Sequence, residues 1–308
     1  MLDIQELRPI SQPSPSHTWS ALCADWIGII SLFSLAAWAG RWWMTLPCAL
    51  LMARYQLALA ILMHDGAHGR LFQSPTWNNY VGQILCASPL FFSQQTYRRF
   101  HLKHHLDPLV PDDPDISLIG GYPIAMKSFT RKILRDLSGI SYFKFIGYFF
   151  FKKRQVKQVG QPKRTVSGIE APRGPQIEGA ELIFWHLAIN VLMFGLLFWA
   201  KAGWYYLWLW MIPMMTVLQI LLRIRGIAEH AGYQPNEDQR YNSRTVIHPI
   251  QAFFFAPHNV NYHIEHHVYP SVPFHHLPRV HALMNERGSL PTENVYQSYW
   301  DVLGDLVR

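Results

Sequence analysis

Four stretches of the chain are apolar over about 20 residues, the length an α-helix needs to cross a hydrocarbon core of roughly 30 Å. They are residues 22–40 (LCADWIGIISLFSLAAWAG), 44–63 (MTLPCALLMARYQLALAILM), 182–200 (LIFWHLAINVLMFGLLFWA) and 204–222 (WYYLWLWMIPMMTVLQILL). Each is expected to be a transmembrane helix, with Pro213 kinking the fourth. Asp25, near the start of the first, is expected to reach the interface, whereas Arg54, in mid-span, has to face the bundle or water. Two further apolar pieces are too short to cross. Residues 80–92 (YVGQILCASPLFF) contain Pro89 and suit a re-entrant or interfacial helix. Residues 142–151 (YFKFIGYFFF) run into Lys152, Lys153 and Arg154 and suit an interfacial aromatic helix.

Charge fixes the expected topology. The loop between spans one and two holds only Arg41 and that between three and four only Lys201, while residues 64–181 hold 16 Lys/Arg and the chain after 222 holds seven. By the positive-inside rule both long segments and the N-terminus are expected in the cytosol. The net charge of +7 is then a matter of topology and calls for no nucleic acid. The start of the chain lacks the basic, apolar and small-residue order of a secretory signal, so residues 1–21 read as a cytosolic tail and 22–308 as one membrane-embedded domain. Residues 155–180 are rich in Gly and Pro and are expected to form a loop. Three well-separated cysteines suggest neither a disulfide framework nor a thiolate metal site.

Three histidine boxes lie beyond the span ends: HDGAH (His64, His68), HLKHH (His101, His104, His105) and HIEHH (His263, His266, His267). Residues at i, i+3 and i+4 share one helix face, so each box presents its rings in one direction. The topology puts all three boxes on the same side, and His230, about two turns past the fourth span, joins them. Nine imidazoles exceed what one zinc takes, and two metals of higher coordination number fit the count. Imidazole suits Zn, Cu, Fe and Ni alike, so ligand type leaves the metal open. The fold class expected is all-α: a multi-pass membrane bundle of about four helices with a cytosolic histidine-rich cap holding a dimetal site.

HDGAHGRLF, YRRFHLKHHLDPLVPDDPD, RIRGIAEHAG and NYHIEHHVYPSVPFHHLPRVH, spread over about residues 45–285, resemble the membrane fatty acid desaturase superfamily. The resemblance implies a non-haem diiron centre, two iron ions that use O2 and two electrons to remove hydrogens from an unactivated alkyl chain. It also implies that His64, His68, His101, His104, His105, His263, His266 and His267 are ligands, with His230 as the additional ligand of the EH motif. No HPGG motif of a cytochrome b5 region occurs, and the third box starts with His263 where the front-end subgroup has Gln. Electrons are therefore expected from a separate donor, ferredoxin- or cytochrome b5-like.

Acids near the boxes should orient the ring N–H groups of ligating histidines. Asp65, Asp115 and Glu265 are favoured among Asp65, Asp112, Asp113, Asp115, Glu229 and Glu265, with capping and turn formation as the alternative role. His186 and Asn190 suit a helix–helix hydrogen bond, with lining of the substrate path as the alternative role. His17, His248, His258, His275, His276 and His281 fit no box spacing; His258 and His281 are the closest to exceptions. FKKRQVK (151–157) suits anionic lipid or an acidic electron carrier. IQAFFFAP (250–257) suits a cover over the metals or the mouth of a substrate tunnel, with core packing as the alternative. The leading expectation is O2-dependent desaturation of a lipid-linked fatty acyl chain in a bacterial inner membrane. Hydroxylation or ketolation of a lipid or carotenoid uses a similar scaffold, and a metal-binding transporter or sensor is the alternative of another class, which would place ligands inside the spans.

Overall fold

A computed structural model of the chain describes residues 1–144, 146–147 and 174–308. The segment expected at 151–157 lies outside the described residues, as do 145 and 148–151 of the piece at 142–151 and 155–173 of the loop at 155–180. Among the described residues four helices are long and apolar enough to span a membrane: Pro15–Ala39, Trp42–Ala67, Gly179–Trp199 and Tyr206–His230. Among the described residues the only sheet is one parallel pair of two-residue strands, Thr245–Val246 with Val295–Tyr296. The protein is a helical membrane bundle with a helical cap.

The first two spans form a hairpin that turns at Gly40, whose φ of 58° is readily adopted by glycine. The second span is the central element. It packs against the first and the fourth, and from Gln56 to Ala67 every residue is buried. It also runs a turn beyond its apolar stretch, so His64 lies in its last turn and His68 caps it. The third span sits at the edge and exposes Ile183, Leu187, Val191 and Phe198 to the lipid side. Asn190 ties it inward, donating to the Ser88 carbonyl (3.0 Å) and accepting from the Tyr206 hydroxyl (2.8 Å).

The fourth span departs from a simple proline kink. It opens as a π-helical turn over Tyr206–Met211, continues through Pro213 and breaks at Thr216 (φ −123°, ψ −78°) before Val217–His230. Thr216 Oγ1 donates to the Ile212 carbonyl (2.7 Å) and Gln219 Nε2 to that of Met214 (3.0 Å), satisfying groups that the break would strand in hydrocarbon.

Residues 75–90 form the non-crossing element: a helix at Pro75–Val81, a π-helical turn at Gly82–Ala87 and a 3₁₀ turn at Ser88–Leu90, reversed at Phe91 (φ 59°). Trp26 Nε1 and Trp210 Nε1 donate to the carbonyls of Leu85 and Pro89, wedging it into the bundle. The second box follows on helix Gln94–Leu106 and the third on Tyr262-capped His263–Val268. At the N-terminus a short helix, Ile4–Ile10, precedes the first span. Leu2 is buried with Ile264, Val280 and Met284, and its amide donates to the Tyr269 hydroxyl (2.7 Å).

Asp25 does not reach the interface. It is buried and paired with Arg54 (3.1 Å) and His258 (2.7 Å), so its charge is offset inside the bundle and not by water. A second buried pair fixes the cap: Asp136, on the amphipathic helix Met126–Leu137, receives Arg223 Nε and Nη2 from the fourth span. Asp136→Ala is expected to destabilise the protein by about 3–5 kcal/mol, since it strands a buried guanidinium. Thermal melting of detergent-purified protein checks it: Tm falls in Asp136→Ala, and Asp136→Ala/Arg223→Met recovers most of the loss.

Candidate metal centre

The boxes meet because two helix ends interlock. The Gly66 carbonyl, at the end of the second span, accepts from Asn78 Nδ2 (2.8 Å), Gln94 Nε2 (3.0 Å) and Arg98 Nη2 (2.9 Å). Arg98 Nε also takes the Ala67 carbonyl (2.8 Å). These donors come from the non-crossing element and the second-box helix, so boxes one and two are fixed as one body. A Cβ on Gly66 would lie 2.9 Å from Gln94 Oε1, so a larger residue there would displace the Gln94 amide from the clamp. The third box joins through Glu265, which accepts from the Thr245 hydroxyl (2.6 Å) and from His281 Nδ1.

All nine candidate histidines are brought together, each at most 6% exposed. They form two adjacent nests. Ring nitrogens of His64, His68, His101, His105 and His266 lie within 4.8 Å of one another, and so do those of His104, His230 and His267. His263 joins the second nest through a 2.8 Å contact with His230 Nε2. The nests touch where the rings of His105 and His267 stack at 4.2 Å.

Hydrogen bonding fixes the tautomers that matter. His104 Nδ1 donates to Asp113 (2.9 and 3.0 Å) and His230 Nδ1 to the Asn242 carbonyl (2.8 Å). In neutral rings both Nε2 atoms then carry lone pairs, yet they face each other at 3.2 Å. A proton or a metal ion has to lie there. His105 Nε2 likewise meets His101 Nε2 and His266 Nε2, both at 3.0 Å. Both nitrogens of His267 and Nε2 of His64 and of His68 are buried without a hydrogen-bond partner among the described residues, and Nδ1 of His64 has only the Asp65 carboxylate at 3.4 Å. Unpaired buried groups of this kind cost about 1–3 kcal/mol each. So many at one place fit a donor set for cations.

Charge states agree. Burial, and then repulsion from neighbouring imidazoles, pushes His101, His105, His263, His266 and His267 well below the ordinary imidazole range, leaving them neutral and able to ligate. His104 goes the other way: burial opposes its charge, but the Asp113 hydrogen bond and the charges of Asp115 and Asp113 outweigh it. Burial also works against the Asp113 carboxylate, and His104 with the N–H groups of Asp115 and Leu109 overcomes it, lowering that pKa.

The acids divide differently from expectation. Asp113 holds His104 and is itself fixed by the amides of Leu109 (2.7 Å) and Asp115 (2.9 Å). Asp115, favoured from sequence, is 3.9 Å from the same nitrogen with its side chain half exposed. Within DDPD only the turn decides which acid points inward, and composition does not encode that. Asp65 lies 3.4 Å from His64 Nδ1 and accepts from the Phe274 amide at 2.9 Å, so it chiefly anchors the segment after the third box. Glu265 bonds no box histidine and positions the helix instead. Glu229 pairs with Arg225 (2.6 Å) and approaches His263 Nδ1 at 3.6 Å. The Asn242 carbonyl has no sequence signal at all. His258 bonds Asp25 and His17 stacks on His275 (4.5 Å), both apart from the nests.

Comparison with known proteins gives a consistent picture. A family model described as fatty acid desaturase matches residues 40–300. Among curated relatives, dihydrorhizobitoxine desaturase of Bradyrhizobium elkanii is 25% identical over 87% of this chain and 75% of its own length. The sn-1 acyl-lipid omega-3 desaturase (ferredoxin) of Synechocystis is 22% identical, covering 89% of this chain and 79% of its own. Fatty acid desaturase 3 of Bos taurus is 22% identical over 77% of this chain, which spans about half of that relative's length, 54%.

The acids make a testable pair. Asp113→Ala is expected to weaken metal retention about 10–100-fold, as loss of a ring-orienting carboxylate does, while Asp115→Ala changes it far less. Competition with a chelator, read by elemental analysis of purified protein, checks both.

Proposed function

The chain belongs to the fatty acid desaturase family, and from that premise we propose that it introduces a carbon–carbon double bond into a fatty acyl chain in an O2-dependent reaction. It is an oxidoreductase of the desaturase type. The observation that carries the proposal is the pair of buried histidine nests, with lone pairs facing across 3.2 Å and ring nitrogens left without partners.

In this reading two iron ions occupy the nests. His64, His68, His101, His105 and His266 hold one, and His104, His230, His263 and His267 the other. When bound, the irons supply the activation of O2 that lets an unactivated methylene be oxidised, two electrons arriving from outside. The chain's own part is positioning and exclusion. Asp113 and the Asn242 carbonyl fix the tautomers of His104 and His230, aiming their lone pairs inward. The Gly66 clamp holds boxes one and two in register, and burial of all nine rings keeps bulk water from the centre.

A separate electron donor, ferredoxin- or cytochrome b5-like, fits this scheme, and the ferredoxin named for the Synechocystis relative supports it. The charge asymmetry supports a cytosolic centre, in a bacterial inner membrane. The substrate is an acyl chain carried in the membrane. Hydroxylation or ketolation of a lipid or carotenoid remains the competing outcome, since the same first hydrogen abstraction serves both.

Elemental analysis with iron Mössbauer spectroscopy of detergent-purified protein is expected to give two coupled irons per chain. Zinc alone after iron-replete expression would overturn the reading in favour of a metal-binding transporter or sensor. Mass spectrometry of the product separates loss of two hydrogens from gain of one oxygen. His104→Ala and His263→Ala are each expected to abolish turnover while leaving the protein in the membrane; full activity in either would remove that residue from the ligand set.

A further inference from the structure

Residues 1–18 read as part of a tail in the sequence, yet in the structure they reach across two of the three histidine boxes. The opening residues of a domain are ordered only where something ties them down. Here the ties lie on both sides of the centre. On one side Arg70, two residues past His68, donates from Nε to the His68 carbonyl (3.2 Å) and from Nη1 to that of Ser11 (3.4 Å), and Thr18 Oγ1 donates to the Leu71 carbonyl (2.6 Å). On the other side the Leu2 amide donates to the hydroxyl of Tyr269 (2.7 Å), the residue at which the third-box helix ends. The Ser11 and Ser271 hydroxyls meet at 3.5 Å, and His17 stacks on His275.

Packing follows the same line. Asp3 and Glu6 form a reciprocal capping box that starts the helix Ile4–Ile10. Leu7 and Ile10, three residues apart on one face of it, pack with the buried Leu2 on a cluster that includes Ile264, Tyr269, Val280 and Met284. That cluster is separate from the main core of the bundle. Ile264 stands between His263 and Glu265 in the third box and is wholly buried. The Glu6–Arg287 pair lies at the outer edge, where solvent leaves it little weight.

The third box needs support from outside. His263–Val268 is a helix of six residues, well below the roughly 12–15 at which a helix holds together alone in water. Its inward face carries crowded ring nitrogens: both of His267 lack a hydrogen-bond partner among the described residues, and His266 Nε2 faces His105 Nε2 at 3.0 Å. Until a cation binds, that face gives the helix little hold. Retention falls to Glu265, bonded to Thr245 and His281, to the Phe274 amide on Asp65 further along, and to Ile264 against the cluster that Leu2 completes.

We propose that residues 1–18 are a clasp, joining the end of the first box to the back of the third and holding the third-box helix in ligating position. Boxes one and two are already one body through the Gly66 carbonyl, so the clasp acts on the third. Leu2, Leu7 and Ile10 are positioning residues that act through Ile264 and Tyr269. The clasp goes beyond the desaturase reading and rests on it only for the ions that the third box would help to hold.

Hydrogen–deuterium exchange of the detergent-purified full chain, read by mass spectrometry, tests it in Leu2→Asp and in Leu7→Ser/Ile10→Ser. Exchange over residues 263–276 is expected to rise about tenfold or more in each, since each removes apolar contacts from the back of the box. The second-box helix Gln94–Leu106 should keep its protection, and Leu2→Met should keep protection throughout. If Leu2→Asp does not fold, Leu2→Ala replaces it with the same expectation. Unchanged exchange over 263–276 would overturn the proposal, and so would an equal rise over 94–106, which would reduce the effect to a general loss of stability. Iron-loaded Leu2→Asp is further expected to release its metal to a chelator about tenfold faster than the unsubstituted protein, following the more frequent local opening. Asp136→Ala, which lowers Tm without touching the clasp, serves as the control: release from Leu2→Asp no faster than from Asp136→Ala would overturn the clasp's hold on the centre. The exchange readout depends neither on which ion is bound nor on turnover, so failure of the clasp and failure of the iron reading are told apart.

Discussion

Two imidazole lone pairs aimed at each other across 3.2 Å in a buried site repel, and the repulsion is relieved by a proton or a metal ion between them. Most of the cap is arranged to enforce that geometry. Asp113 and the Asn242 carbonyl prevent the rings from escaping by tautomerising, and the nests are in contact where His105 stacks on His267. Polar atoms left without partners elsewhere in a protein would be a defect. Here they cluster on His64, His68 and His267, and the scaffold holds them there by hydrogen bonds to other groups.

The second span is where membrane and centre are coupled. Its lower half carries Arg54, neutralised by Asp25 across the hairpin; its last turn carries His64 and ends on the Gly66 carbonyl, which gathers three side-chain donors. A rigid helix thus links a polar site within the bundle to the histidines at its end. The fourth span contributes differently. Its break at Thr216 lets Val217–His230 leave the direction set by the π-helical turn, and that second half bears both Arg223, anchored on Asp136, and His230.

Much of this was legible in the sequence. The four spans follow from apolar length, and the boxes follow from i, i+3, i+4 spacing that places rings on one face. Placement of the boxes on one side followed from the span map together with the charge asymmetry. What was illegible depends on turns and partners. Asp113 and Asp115 are equivalent acids two residues apart, and only the amides of Leu109 and Asp115 select the former. Asp25 looked able to reach water because its partners, Arg54 and His258, are 29 and 233 residues away. A backbone carbonyl such as that of Asn242 leaves no trace in residue identity.

The order of the boxes along the chain has a consequence for biogenesis. Each nest draws on the third box: His266 completes the first, and His263 and His267 the second. Neither can therefore close while the chain is still being inserted, although the hairpin of the first two spans and the Gly66 clamp can already have formed. Long-range closure of this kind is slow relative to local helix formation. A nascent chain stalled before residue 263 would display six of the nine imidazoles without the third box, an exposed trap for divalent transition metals. On the proposed reading of the nests as a metal centre, loading with the wrong ion is thus a hazard of synthesis more than of the finished fold, and docking of the third box is the latch that ends it.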